Sequence, residues 1–516
     1  MAEVVKHDSC RSKVRADSTA AADSAPCRLG ATTRSVVTLL NLIDGELVPS
    51  ASDRWLDVVE PATGQPYARL PSSSAADVDR AVAAAQRAFP AWSARPASER
   101  AACLRRIAQL LGERLEALAA DESTDSGKPL RVATATDIPR AIQNFEFFAD
   151  AATQFSSESH HDAGILNYTT RAPLGVVGCI SPWNLPLYLF TWKIAPALAA
   201  GNCVVAKPSE VTPLTAYRLS EIAREAGLPP GVLNVVHGLG AEVGSALTAH
   251  PDVKAISFTG STAVGSEIAR VAAPAFKKLS LEMGGKNPNV IFADCNFEDA
   301  VETTVRSSFA NQGQICLCGS RIFVERAIYT RFRDALVERV QRLVQGDPRE
   351  PATEQGALVS ETHLQKVLSY LALARDEGAT ALTGGGRVQL EGRCEAGYFV
   401  APTLLEGLPP SSRINQEEIF GPVATIMPFD HEDEVLGWAN STSYGLAATV
   451  WTRDLDRAHR FASKLQSGIV WLNCWMVRDL RTPFGGVKSS GVGREGGLDA
   501  MRFFTEPKNV CVKVHS

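Results

Sequence analysis

The chain lacks the features that mark several broad classes of protein. No apolar run reaches the roughly 18 residues that a membrane-spanning helix needs. The best candidates, "LGVVGCI" (174–180) and "APALAAGNCVVA" (195–206), are short or broken by glycine and polar residues. There is no excess of basic charge: 52 Lys and Arg against 57 Asp and Glu leave a net charge of -5. That balance gives no footing for nucleic-acid phosphates. There is no cysteine framework either. The 11 cysteines are odd in number and scattered without paired spacing, which points to a reducing cytoplasm rather than to secretion. Residues 1–35 have few bulky apolar side chains and no apolar stretch of the kind a secretory signal carries. Glu3, Asp8, Asp17 and Asp23 argue against a transit peptide, so this segment is expected to be a disordered tail.

The rest reads as globular. Over 516 residues, 45% are hydrophobic and 21% charged, enough for large cores and several domains. "NLIDGELVPSASDRWLDVVEPATGQPYARLP" (41–71) alternates apolar and polar residues around turn signals, predicting short antiparallel strands. From about 75 to 125 apolar residues recur at spacings of three and four, predicting helices. Strand candidates follow at 174–180, 202–208, 233–238 and 254–260, separated by helical patterns. The second of these helices opens on Thr212 and Pro213, predicting an N-cap followed by an N1 proline. Strand–helix alternation implies right-handed crossovers and a parallel sheet covered on both faces, with ligands at the carboxyl ends of its strands. A second alternation starts near 288 and runs to "SGIVWLN" (467–473), and "FFTEPKNVCVKV" (503–514) predicts an added strand. The fold class is α/β.

Several segments carry chemistry-bearing residues. "GLGAEVG" (238–244) is one residue too long for G-x-G-x-x-G, whereas "FTGSTAVG" (258–265) follows a strand and opens a helix, so its free N–H groups suit a pyrophosphate. "KPSE" (207–210) ends a strand. Lys207 and Glu210 there suit ribose hydroxyls, and the carboxylate would repel a 2′-phosphate; the plainer reading is a solvated turn. "LSLEMGGKNPNVIF" (279–292) sets Glu282 at an apolar strand end, where burial would raise its pKa toward that of a general base; alternatively it is a surface glutamate. Asn184 in "SPWNLP" (181–186) is either an oxyanion donor or a helix cap. In "ANQGQICLCGSRIF" (310–323), Cys316 and Cys318 lack further ligands at metal spacing. Each is therefore a nucleophile or an inert thiol.

Taken together and in this order, "SPWNLP", "FTGSTAVG", "LEMGGKNP" and "NQGQICLCGSR", with "EEIFGPV" (417–423) and "PFGGVKSSGVGRE" (483–495), resemble the aldehyde dehydrogenase superfamily over about residues 40–514. The resemblance implies a Rossmann-like parallel-sheet cofactor domain (36–152 and 172–283) and a second α/β catalytic domain (284–482). It also implies a small β oligomerisation element (153–171 and 483–516) that makes a homo-oligomer, a dimer or a tetramer. It implies NAD as cofactor and no metal. Cys316 would be the nucleophile, with Cys318 a neighbour that the family does not require. Glu282 would be the general base, and Asn184 with the Cys316 N–H the oxyanion donors. Lys207 and Glu210 would hold the adenosine ribose and Glu418 the nicotinamide ribose. Trp183, Gly240, Gly260, Ser261 and Phe420 would lie around the dinucleotide.

Two further positions bear on the substrate. Arg140 in "DIPRAIQNFEFF" and Arg478 in "NCWMVRDLRTPFGG" fall where relatives acting on simple aldehydes have apolar tunnel residues. Arginines there suit a substrate carboxylate, unless they form surface ion pairs with Asp137 or Asp479. With the surrounding motifs they resemble the branch acting on 2-aminomuconic and 2-hydroxymuconic semialdehydes. The other readings are a betaine-aldehyde or other small-aldehyde dehydrogenase, a catalytically inactive binding protein, and a cofactor-free thioesterase or esterase.

Overall fold

Five short runs, four of them carrying Val, become the parallel strands of one sheet. In spatial order they are Lys278–Glu282, Val253–Thr259, Val176–Ile180, Cys203–Lys207 and Leu233–Val235. This is a computed structural model that describes residues 36–513. The tail expected at 1–35 and the last three residues of the C-terminal segment lie outside the described residues. Every residue of Val176–Ile180 and Cys203–Lys207 is buried, as the strands of a sheet flanked by helices require. Gly178 leaves room for the Ile256 and Leu247 side chains, since a Cβ there would sit 2.7 Å from Ile256 Cδ1.

Chain order reverses at Val176–Ile180, whose neighbours are the next strand on one side and the fourth parallel strand on the other. The crevice at such a reversal is where ligands of doubly wound sheets bind. "SPWN" leaves the sheet on one side of it and "GST" on the other. An antiparallel hairpin, Asn41–Ile43 and Glu46–Val48, extends one edge. Its Asp44-Gly45 turn has φ of 55° and 80°, the left-handed pair that a tight hairpin needs. Gly491–Val492 extends the other edge. These two residues, grouped with the oligomerisation element by sequence, pair instead with the strand that carries Glu282.

A second sheet has seven strands, in the order Thr380–Thr383, Thr403–Glu406, Val423–Phe429, Arg321–Glu325, Pro288–Ile291, Ala447–Trp451 and Ile469–Leu472. All are parallel except the first, an antiparallel edge. A third, antiparallel sheet joins Ile165–Pro173 to Ser159–Asp162 and to the predicted C-terminal strand, Thr505–Lys513. Among the described residues no helix is long and apolar enough to cross a membrane.

One predicted cap is corrected. The helix begins at Leu214, with Pro213 at the capping position rather than Thr212. The buried Asp125 carboxylate accepts from the Leu214 N–H (2.8 Å), and Thr212 Oγ1 donates to the Trp183 carbonyl (3.2 Å). The Asp125 carboxyl oxygen takes the helix N–H, and the threonine ties the helix start to the loop bearing Asn184.

Candidate active site

The segment before Cys316 cannot be regular helix. Asn311, Gln312 and Gly313 all have positive φ, of 51°, 56° and 69°, and a Cβ on Gly313 would lie 2.0 Å from the Gly421 carbonyl oxygen. The turn that follows is clamped by side chains. Asn287 Nδ2 donates to the carbonyls of Cys316 (2.7 Å) and Cys318 (2.9 Å), and Trp475 Nε1 donates to that of Leu317 (3.0 Å). Cys316 keeps some exposure, whereas Cys318 is 7% exposed within the apolar core. Cys316 lines a cavity of about 200 Å³ together with Trp183, Asn184, Gly260, Ser261, Glu418 and Phe420. Cys318 does not line it. The cavity draws residues from the strand end at Thr259 and from the loops that precede the Arg321–Glu325 and Val423–Phe429 strands of the second sheet.

Asn184 is held from three sides. Its Nδ2 donates to Gln314 O (2.9 Å), two residues before Cys316, which leaves its second amide hydrogen. Its backbone carbonyl accepts from Lys128 Nζ and from Asn311 Nδ2, each at 3.1 Å. Glu282 ends its strand beside Thr259, and its buried Oε1 has no protein partner. Burial raises the Glu282 carboxyl well above the ordinary carboxylate range; Glu495 adds to this, while Lys193 and Arg478 oppose it. Burial likewise pushes the Cys316 thiol far up, with Glu282 and Glu418 adding and the Arg478 charge opposing. The Cys318 thiol is pushed up to about 12 by burial.

Behind Glu282 lies a group that sequence reasoning missed. Glu495 Oε1 accepts from Lys193 Nζ (2.6 Å) and Ser257 Oγ (2.9 Å). Lys193 is the one lysine in a helix whose every residue is buried. A charge inside so apolar a run was the available signal. A second such group is Lys128, fully buried between Asp137 and Glu122.

On the cofactor side, Lys207 and Glu210 pair with each other, and Glu210 Oε1 also accepts from the Gly240 N–H at 3.3 Å. Burial lowers the Lys207 pKa. Burial raises the Glu210 carboxyl, but Lys207 and the Gly240 N–H outweigh it and hold it below its usual range. The glycine run that is one residue too long forms a π-helical turn, Gly240–Gly244, a geometry that absorbs an extra residue. Gly260 packs against the Phe258 ring, which a Cβ would meet at 2.4 Å. Ser261 caps the helix Thr262–Ala272, its hydroxyl accepting from Val264 N. Glu418 Oε1 accepts from Gly285 N (2.9 Å), and a Cβ on Gly284 would sit 2.1 Å from Glu418 Oε2. Phe420, at φ 64°, meets Trp183 edge-on with centroids 5.2 Å apart.

Arg140 and Arg478 do not line the cavity beside Cys316, and neither is in an ion pair among the described residues. The carboxylates suspected of pairing with them are engaged elsewhere, Asp137 by Lys128 and Asp479 by Arg481. Both arginines converge on Tyr188. Arg478 Nη1 donates to Tyr188 Oη (2.7 Å), and the Arg140 guanidinium lies 5.7 Å from its ring centroid.

Residues 47–510 match the model of the aldehyde dehydrogenase family. A Danio rerio protein named 2-aminomuconic semialdehyde dehydrogenase is 52% identical over 482 residues, covering 92% of this chain and 98% of its own. A Pseudomonas sp. (strain CF600) protein named 2-hydroxymuconic semialdehyde dehydrogenase is 48% identical, covering 92% and 99%. The NAD+ complex of an aldehyde dehydrogenase from Bacillus cereus superposes with a TM-score of 0.90 at 40% identity, over 93% of this chain and 97% of that one.

Proposed function

Since this chain belongs to the aldehyde dehydrogenase family, and so oxidises aldehydes with the family's nicotinamide cofactor, we propose that its substrate is a short unsaturated semialdehyde bearing a carboxylate, of the 2-aminomuconic or 2-hydroxymuconic kind. The observation that carries this reading is the pair of arginines without carboxylate partners, Arg140 and Arg478, on one tyrosine. A cationic substrate such as betaine aldehyde would be repelled by the same two charges.

The cofactor fits the residues present. The Lys207–Glu210 pair stands at a strand end where ribose hydroxyls can bridge it, and the helix capped by Ser261 presents its N-terminus to a phosphate. Glu418, which lines the same cavity as Trp183 and Phe420, would hold the second ribose. Bound NAD supplies the two-electron acceptor. The Glu210 carboxylate opposes a 2′-phosphate, so Glu210→Gln is expected to narrow the preference for NAD over NADP in steady-state kinetics. An unchanged ratio would remove Glu210 from that role.

The protein groups divide the remaining work. Cys316 Sγ, once deprotonated, adds to the aldehyde carbon. The free amide hydrogen of Asn184 and the Cys316 N–H hold the alkoxide; losing one such donor typically costs roughly a hundredfold or more in rate. After oxidation the acyl group is a thioester on Cys316. Glu282, whose pKa burial raises, takes a proton from the water that hydrolyses it. The direct test is a panel of carboxylated and uncharged aldehydes with NAD on wild type, Arg140→Ala and Arg478→Ala. The reading requires the arginine variants to lose selectivity for carboxylated substrates; equal selectivity in all three would reject it.

A further inference from the structure

Tyr188 is the point at which the helix carrying Arg140 is fixed to the segment carrying Arg478. It is the third residue of Pro186–Ala199 and 3% exposed. Arg140 and Asn144 lie four apart on Ile138–Gln154, so they share a face. Asn144 Nδ2 donates to the Tyr188 carbonyl (3.1 Å) and to Thr191 Oγ1 (3.0 Å), and Thr191 Oγ1 donates to that same carbonyl at 3.0 Å. The backbone of Tyr188 is thereby locked to the helix on which Arg140 stands, one turn before Asn144. The phenol then engages both cations, its ring beside Arg140 and its oxygen accepting from Arg478. The far side of Arg478 lies 3.9 Å from the Phe484 ring centroid and 5.4 Å from that of Trp192. Arg140 Nε and Nη2 are buried without a partner.

Two guanidinium groups that are partly desolvated and in no ion pair among the described residues suit an anion; the carboxylate that feels the Arg140 charge, Asp479, is already paired with Arg481. A flexible arginine loses rotamer freedom when it binds one, and that cost falls if the side chain is already held. A phenol has one hydrogen and two acceptor lone pairs. With a lone pair given to Arg478, the Tyr188 hydrogen remains for an incoming oxygen.

We propose that Tyr188 is a specificity-determining residue: its ring orients Arg140, its hydroxyl orients Arg478, and a substrate carboxylate meets both in one geometry. This rests on the carboxylate reading above and names the group that sets its selectivity. Tyr188 acts through the arginines and is a positioning residue for binding, not for the bond-making steps.

The test is steady-state kinetics with NAD, comparing 2-hydroxymuconic semialdehyde with hexanal, an uncharged aldehyde of the same carbon count. The enzymes are wild type, Tyr188→Phe, Tyr188→Leu, Arg140→Ala and Arg478→Ala. Tyr188→Phe keeps the ring and removes one charge-assisted hydrogen bond, so KM for the semialdehyde rises about tenfold. Its kcat stays within about twofold, because the interaction is the same in ground and transition states. Both constants for hexanal stay unchanged. Tyr188→Leu, which also removes the ring, raises the semialdehyde KM further; if it does not fold, the Phe variant alone decides. Equal losses on both substrates, or no change on either, overturn the assignment. If the arginine variants lose selectivity and Tyr188→Phe does not, only Tyr188 is wrong. If the arginine variants keep their selectivity, the carboxylate reading fails and takes this inference with it.

Discussion

Two thiols two residues apart have opposite fates because of what surrounds them. Cys316 borders the cavity, near enough to Arg478 for its charge to oppose the rise in thiol pKa, while Cys318 is packed into the core. Cys316→Ala should abolish aldehyde oxidation. Cys318→Ala should keep kcat within about threefold while costing on the order of 1 kcal/mol in stability, read by urea unfolding beside the activity assay. The charge of Arg478 makes a pH prediction of definite sign. A nearby cation favours thiolate and carboxylate, so removing it raises both pKa values. In Arg478→Ala the pH profile for alkylation of Cys316 by iodoacetamide should move to higher pH, with slower labelling at pH 8. A profile that stays in place or moves down would show that Arg478 does not act on the nucleophile.

At the scale of elements, one buried ionic group joins the parts of the site. Lys128 donates to Asp137 and to the carbonyl of Asn184. Asp137 closes a π-helical turn, Ala133–Asp137, that runs directly into the helix of Arg140. Glu122 lies 3.9 Å from Lys128 and accepts from Leu187 N at the start of the helix of Tyr188. Lys128→Met would strand the Asp137 charge, and removing one partner of a buried pair costs roughly 3–5 kcal/mol. The double variant Lys128→Met with Asp137→Asn should recover much of that stability. It should not recover kcat fully, because the Asn184 carbonyl has lost one of its two donors. Thermal unfolding and kinetics on the same samples separate the two effects. None of this was legible in the sequence, where Asp137 was weighed only as a surface ion-pair partner for an arginine and Lys128 and Glu122 stood in no motif. Strand–helix alternation, by contrast, was legible because buried parallel strands are continuous apolar runs. The cap at Thr212 was misread because a buried carboxylate 87 positions upstream, Asp125, competes for the helix N–H, and local chemistry holds no trace of it.

For the whole molecule, the three-stranded sheet of Ser159–Asp162, Ile165–Pro173 and Thr505–Lys513 is exposed along most of its length. Ile165, Tyr168 and Val512 are each about 40% accessible. Apolar residues on a free sheet favour association, so a dimer or tetramer is expected by light scattering at micromolar concentration, and a monomer would contradict it. That Cys316, Asn184 and Glu282 would be neighbours could be read from motif order alone through family resemblance. Their electrostatics could not, because Glu495 reaches Glu282 only when residues 491–492 close the sheet edge.

The most direct measurement is to trap the acyl enzyme. Glu282→Gln, mixed with NAD and a carboxylated aldehyde, should give one burst of NADH and then stall. Peptide fragmentation should place the acyl mass on Cys316. Acyl mass on Cys318, or continued turnover with no adduct, would contradict the account.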